Sequence, residues 1–282
     1  MRATRRPVLP VVPENRFAGS MKSFQESTTL PKAPKNAVLV GGRAAEYLGW
    51  DGFSSTTSGH WLVPKATGTS GPGVQRSKLW EPASQFLGGL PVASPHLVLA
   101  HLGIGLEPAS RWHGDYTPLT PLERLELAVE HYLRLGFEIP VGVNTPTMAL
   151  VRKILRVRGI HEPPTESYAE TRGVQQLRGQ GFPTVFRQVP LIIEGRIVNR
   201  IDLVVPFRPR AQRPISFTPD FGVALEIDGR EFHELQFEKD RRRANNHTVA
   251  GTQLLTVTPT MIERNITEVS RWIRMVQARN TK

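Results

Sequence analysis

The segment Leu225-Glu226-Ile227-Asp228-Gly229-Arg230-Glu231-Phe232-His233 places two carboxylates at the end of an apolar run, then a glycine turn and a histidine. Upstream, Ile201-Asp202-Leu203 sets a third carboxylate inside another apolar run. Charged side chains within apolar strands are rarely buried without partners. Two like charges about 4 Å apart repel by about 4 kcal/mol at an effective dielectric near 20, and a hard cation with oxygen ligands relieves that repulsion. Asp202 and Glu226 are therefore the candidate ligands for Mg²⁺ or Mn²⁺. A bound cation would polarise a phosphoryl oxygen and lower the pKa of a bound water. His233, titrating near neutral, can activate that water or protonate a leaving group. Glu226 and Asp228 share a strand face because side chains alternate.

The elements that must position these groups can be read from pattern. Residues 1–36 are basic and rich in proline, serine and threonine without apolar periodicity, so they read as a flexible arm. Residues 37–160 read as a smaller α+β region. Short strands are expected at Ala37–Gly41, His60–Pro64 and Gly73–Leu79, with a small helix from Arg43 to Leu48. Thr120-Pro121-Leu122-Glu123 has the form of a capping box with proline at the first helical position. It predicts a helix to about Leu135, with Leu122, Leu125, Val129, Tyr132 and Leu133 as its apolar stripe. Thr145-Pro146 starts a second helix carrying Leu150, Val151, Ile154, Leu155 and Val157. His161-Glu162-Pro163-Pro164 breaks the pattern and marks a boundary. Residues 161–282 then read helix (from Ser167), three strands (Thr184–Ile193, Arg196–Val205, Phe221–Ile227), a polar helix (Leu235 to Ala250), a strand (Leu254–Val257) and a closing helix (Ile266 to Gln277).

The formal charge is +11. It is spread along the chain: residues 1–36 carry seven Lys/Arg against two acids, 37–160 eleven against nine, and 161–282 eighteen against fourteen. A basic surface draws polyanions through counterion release, so DNA is an expected partner. There are no cysteines, which excludes disulfides, thiolate zinc sites and a cysteine nucleophile. No apolar run approaches the roughly 20 residues of a membrane helix. The basic start lacks a long enough apolar stretch to be a signal peptide. A cytoplasmic protein with no membrane partner is expected.

The order αβββαβα, with Asp202 on the second strand and Glu226-x-Asp228 on the third, resembles the PD-(D/E)XK nuclease superfamily. Within it, residues from about 160 to 282 are similar to very-short-patch-repair (Vsr)-like endonucleases. The matching text is Ser167-x-Ala169-Glu170, Arg200-Ile201-Asp202-Leu203, Leu225-Glu226-Ile227-Asp228-Gly229 with His233, Asp240-Arg241-Arg242-Arg243, and Ala250-Gly251. The upstream stretch Ala37-Val38-Leu39-Val40-Gly41-Gly42-Arg43-Ala44-Ala45-Glu46-Tyr47-Leu48-Gly49 resembles AbiEi-type antitoxin-like proteins. Gly73 to Leu79 and Gly89 to Pro95 continue that likeness. Gly41-Gly42 stands where those proteins have Ser-His, and their leading winged-helix segment has no counterpart in residues 1–36.

The resemblance implies an α/β protein with a C-terminal restriction-endonuclease-like domain on a mixed sheet, with Asp202 and Glu226 together at one edge of that sheet. It implies metal-dependent hydrolysis of DNA phosphodiester bonds, with Asp202, Glu226, Asp228, His233 and Glu170 as catalytic candidates. Arg200, Arg230, Arg241 and Arg243 flank the acids and are candidates for contacting DNA phosphates. Such enzymes often carry a lysine where Asp228 stands; a carboxylate there can orient His233, take a second cation, or mark lost activity. Two other readings stay open. One is a non-catalytic DNA-binding or toxin–antitoxin-type regulator. The other is a phage or structural interaction protein with a degenerate nuclease fold; under any of these readings residues 1–160 are a candidate surface for a protein partner. Plainer roles compete residue by residue. Glu170 can close a capping box with Ser167, Asp228-Gly229 is a common turn pair, and Asp240 can pair with Arg243. Asp220 imitates the superfamily motif but stands too close to Glu226 for a preceding paired strand. The other histidines, His247 among them, show no metal-ligand spacing.

Overall fold

The computed structural model describes residues 33–53, 60–103, 119–159, 162–208, 211–228 and 244–280. The arm read at residues 1–36 lies almost wholly outside them, as do His233, Arg230, Arg241 and Arg243.

The chain is α/β, with two mixed sheets. The first sheet has the order β3-β2-β1-β5-β4, from β1 (Val38–Val40), β2 (His60–Pro64), β3 (Val74–Ser77), β4 (Gln85–Leu87) and β5 (Leu90–Val92). β1 pairs antiparallel with β2 and parallel with β5, and β2 pairs parallel with β3. Helix α1 (Gly41–Tyr47) follows β1, and α2 (Pro95–His101) follows β5. The β4–β5 hairpin and α2 escape the sequence reading, because their strands are three residues each and set among Gly and Pro.

Helices α3 (Pro121–Arg134) and α4 (Pro146–Arg158) start where their caps predict. Thr120 Oγ1 accepts from Glu123 N while the Glu123 carboxylate accepts from Thr120 N, a complete capping box. Thr145 Oγ1 accepts from Met148 N at 3.1 Å. Their apolar stripes need correction. Leu125, Val129, Tyr132, Val151 and Ile154 are buried, but Leu122, Leu150 and Val157 are exposed. The buried set instead includes Arg124, Glu126, Glu130 and Arg158. These helices bury charge against one another and against the second sheet.

That sheet has the order β6-β7-β8-β9, from β6 (Phe186–Ile193), β7 (Arg196–Pro206), β8 (Gly222–Ile227) and β9 (Leu254–Val257). The first three strands form an antiparallel meander and β9 joins β8 in parallel. Around it stand α5 (Tyr168–Gly179), α6 (residues 244–249), α7 (Pro259–Arg264) and α8 (Ile266–Asn280). The expected αβββαβα order is present, with α7 inserted before the last helix. On one face Leu203, Val205, Val223 and Leu225 pack with Val174, Leu177, Ile262, Val269 and Ile273 from α5, α7 and α8. On the other, Phe186, Val189, Ile201, Val204 and Ala224 form a second core. Gly173 lets α5 lie close on this sheet: a Cβ there would meet Leu203 Cδ1 at 2.7 Å. No helix among the described residues is long and apolar enough to cross a membrane.

A buried ionic seam joins α3 to α5, β6 and α7. Arg172 grips Glu263 with Nε to Oε1 at 2.8 Å and Nη2 to Oε2 at 3.1 Å, and reaches Glu123 Oε1 at 3.0 Å. Arg158 and Arg187 meet Glu130 at 2.8 and 3.3 Å, and Arg178 meets Glu126 at 2.6 Å. Burial pushes the Glu123 carboxyl up, but bonds from Thr120 and the charge of Arg172 outweigh it, so its pKa ends below its ordinary 4.5. Asp51 likewise ends below 3.8, where burial is outweighed by His131 and Arg134. A depressed folded pKa contributes stability that is complete above the unfolded value and is lost as pH falls through the folded one. The melting temperature should therefore drop once pH falls below about 4.5. Glu123→Gln should flatten that part of a melting-temperature-against-pH profile.

Candidate active site

Asp202 and Glu226 lie on the neighbouring strands β7 and β8. Gln188 on β6 lies between the pairs Arg187–Leu203 and Val189–Ile201, and so stands opposite Asp202. Asp202 lies one residue beyond the Leu203–Leu225 pair, where the β7–β8 pairing ends. β7 and β8 are the two inner strands of the sheet. The acid pair thus sits at the sheet centre and not at the edge expected from sequence, because β9 covers β8 on its far side. Asp202 Oδ2 accepts from Ile227 N at 2.8 Å. The carboxylate therefore occupies a donor that β7 backbone would otherwise take, and it is anchored beside Glu226.

Glu226 is buried to 7% exposure despite its charge. Asn199 Nδ2 donates to its Oε1 at 3.2 Å, and His247 Nε2 lies 3.3 Å from the same oxygen. Asn199 and His247 are 3.1 Å apart. His247 comes from α6 and is 2% exposed. Sequence spacing gave no sign of it, since α6 folds back over a strand 48 residues away from Asn199 in the chain. Removing this partner leaves a buried carboxylate under-satisfied, which costs about 1–3 kcal/mol. His247→Leu should lower stability by that amount, and His247→Gln, which keeps a donor, by less; denaturant unfolding of both variants checks this.

Glu170 stands at the start of α5, 5% exposed. Its backbone N–H donates to Ser167 Oγ at 3.2 Å, and its carboxylate accepts from Ser167 Oγ and Glu166 N, both at 2.9 Å. Half of the capping box read from sequence is present: Ser167 Oγ caps the Glu170 N–H, but the carboxylate takes the backbone N–H of Glu166 and not that of Ser167. The same carboxylate also accepts from Gln188 Nε2 at 2.9 Å, which ties it to the strand residue opposite Asp202. Burial pushes the Glu170 pKa up against the pull of these donors. Gln188 has φ +48°, a left-handed backbone that costs a residue other than glycine about 1–3 kcal/mol and that gathers at functional sites. Sequence reasoning missed Gln188 and Asn199, because neither type is distinctive in a strand.

Asp228, Arg200 and Asp220 are exposed. Asp228 follows β8, exposed, with its N–H donating to Val257 O at 2.8 Å. Arg200 is exposed on β7 two residues before Asp202. Asp220 is an exposed turn residue between β7 and β8, as its spacing implied. Among the described residues no group of three or more His, Cys, Asp or Glu side chains could hold a metal ion. Mg²⁺, however, is commonly bound by one or two carboxylates with waters and substrate phosphates completing its shell. The pair Asp202 and Glu226 fits that smaller donor set.

No family model matches the chain, and no solved structure does. A dephospho-CoA kinase of Synechococcus sp. (strain JA-3-3Ab) is 31% identical over 99 residues, 34% of this chain and 43% of that protein. The chain spans less than half the length of that curated relative. It has no G-x-x-x-x-G-K-[S/T] segment, the loop whose backbone cradles nucleotide phosphates in P-loop proteins.

Proposed function

We propose that this chain is a metal-dependent DNA endonuclease of Vsr-like type, cytoplasmic, using Mg²⁺ or Mn²⁺ at the junction of β7 and β8. The observation that supports this reading is the bond from Ile227 N to Asp202 Oδ2 at 2.8 Å, which ties one carboxylate to the residue next to Glu226. A cation bound there would polarise a phosphoryl oxygen and lower the pKa of a water. Asp202 and Glu226 would hold it. Ile227 N fixes the first carboxylate, and Asn199 with His247 fixes the second. Water oxygen attacks phosphorus, the P–O ester bond breaks, and the departing oxygen takes a proton; His233 is the candidate for moving protons. Arg200 and the arginines near residues 230–243 offset the repulsion between these acids and the DNA phosphates.

A non-catalytic DNA-binding module is the second reading, favoured by Asp228 in the position where such enzymes often carry lysine. Supercoiled plasmid incubated with purified chain separates the two. Nicking or linearisation that needs Mg²⁺ or Mn²⁺ and stops with EDTA supports the enzyme. Salt-sensitive DNA binding without cleavage under either cation supports the binding module.

A further inference from the structure

The Arg- and Pro-rich connection from β7 to β8 lies along the outer side of β6, the end strand of the second sheet. Phe217 N donates to Pro190 O at 2.8 Å. Arg213 Nη2 donates to Gln188 O at 3.1 Å, and its Nη1 to Glu162 Oε2 at 2.6 Å. Glu162 Oε2 also accepts from Arg187 N at 3.4 Å. A bare edge strand presents unpaired backbone groups, and covering them is the plain role of such a segment.

The groups that Arg213 and Glu162 take fall at a distortion of the sheet. Phe186 pairs with Val204, and Val189 with Ile201, and all four lie in the same core on one face. Residues three apart on a strand should face opposite ways, because side chains alternate. Leu203 and Val205 do alternate with Val204, since they lie in the core on the other face. Alternation therefore inverts at the level of Gln188 and Asp202, on both strands at once. The pairing keeps step across that level, so no residue is inserted. Both strands turn over there, and the left-handed φ of +48° at Gln188 is the turn on β6.

A residue other than glycine keeps such a backbone only while its surroundings hold it. Three groups hold Gln188: Arg213 on its carbonyl, Glu162 on the preceding N–H, and Glu170 on its side chain at 2.9 Å. Exposed ion pairs fix little. The Arg213 and Glu162 side chains, however, are only 24% and 10% exposed, and each also bonds backbone. On the partner strand the same turn-over falls at Asp202, whose carboxylate reaches across to Ile227 N.

We infer that Arg213 and Glu162 are positioning residues: from the edge of β6 they hold the turn-over at Gln188, and through it the aim of the Asp202 carboxylate at β8. Its bearing on catalysis rests on the reading of Asp202 and Glu226 as a cation site; the coupling between edge and carboxylate is a property of the fold.

Amide hydrogen exchange of the full chain, read residue by residue by NMR, tests the coupling in Arg213→Met. The Ile227 N–H should exchange about tenfold faster or more than in wild type, as expected for loss of an ordered charged acceptor. The Ala224 N–H, which donates to Gln253 O at 3.0 Å on the β9 side, reports general opening and should change far less. Arg213→Lys, which keeps the charge but not the two-pronged reach, should fall between, and it carries the test should Arg213→Met fail to fold. Wild-type exchange at Ile227, or an equal gain at Ile227 and Ala224, overturns the inference and leaves an edge cover only. Mn²⁺ uptake by the same variants, followed without DNA, should be weakened about tenfold or more if Asp202 is misaimed. Unchanged affinity beside a wild type that binds Mn²⁺ overturns the positioning role. Selective exchange at Ile227 with no Mn²⁺ bound by wild type supports the coupling and sinks the cation reading instead.

Discussion

Asp202→Asn and Glu226→Gln should each lower the rate of cation-dependent DNA cleavage by about 10²-fold or more while leaving DNA affinity within a few-fold of wild type. Each removes one of two carboxylates available to a cation whose charge stabilisation is worth several kcal/mol, and about 1.4 kcal/mol is a factor of ten in rate. The binding surface is made by other groups, so the loss belongs in turnover. Both changes are nearly isosteric. In the first variant the amide oxygen would still accept from Ile227 N, and in the second the new amide would still face Asn199 and His247, so the fold should hold. Single-turnover cleavage beside a DNA-binding isotherm measures the two effects separately. Cleavage at the wild-type rate by either variant places the chemistry elsewhere.

The largest effect on stability is expected at Arg172. Its side chain is 1% exposed and Glu263 beside it 3%. Arg172→Met leaves Glu263, among the described residues, with the neutral Tyr168 hydroxyl at 3.3 Å as its donor, and removes one donor each from Glu123 Oε1 and Gln175 Oε1. Breaking one side of a buried pair costs about 3–5 kcal/mol, because the remaining charge stays desolvated. The double variant Arg172→Met/Glu263→Met should recover a large part of that loss, since an apolar replacement of a whole buried pair is often neutral. Urea unfolding of the double variant and both single variants closes the cycle. An Arg172→Met variant as stable as wild type would mean the seam contributes nothing across α3, α5 and α7.

What could be read from sequence was local. The caps at Thr120, Thr145 and Ser167 announce their helices because each depends on four consecutive residues. β7 and β8 announce themselves as apolar runs, and Asp202 and Glu226 stand out because charge is out of place there. The same logic misjudged α3 and α4. It sought leucine stripes, whereas Glu126, Glu130 and Arg158 are buried through partners on other elements. His247 was passed over because its relation to Glu226 exists only once α6 folds over the sheet. Gln188 was passed over because its backbone conformation leaves no trace in composition. The acids themselves were legible; the residues that hold them were not.

Uptake of Mn²⁺ by the full chain without DNA, followed through the electron paramagnetic resonance signal of free Mn²⁺, tests the carboxylate pair most directly. The wild type should bind a cation that Asp202→Asn and Glu226→Gln no longer bind, with circular dichroism unchanged. Equal uptake by all three proteins would contradict a cation site built on Asp202 and Glu226.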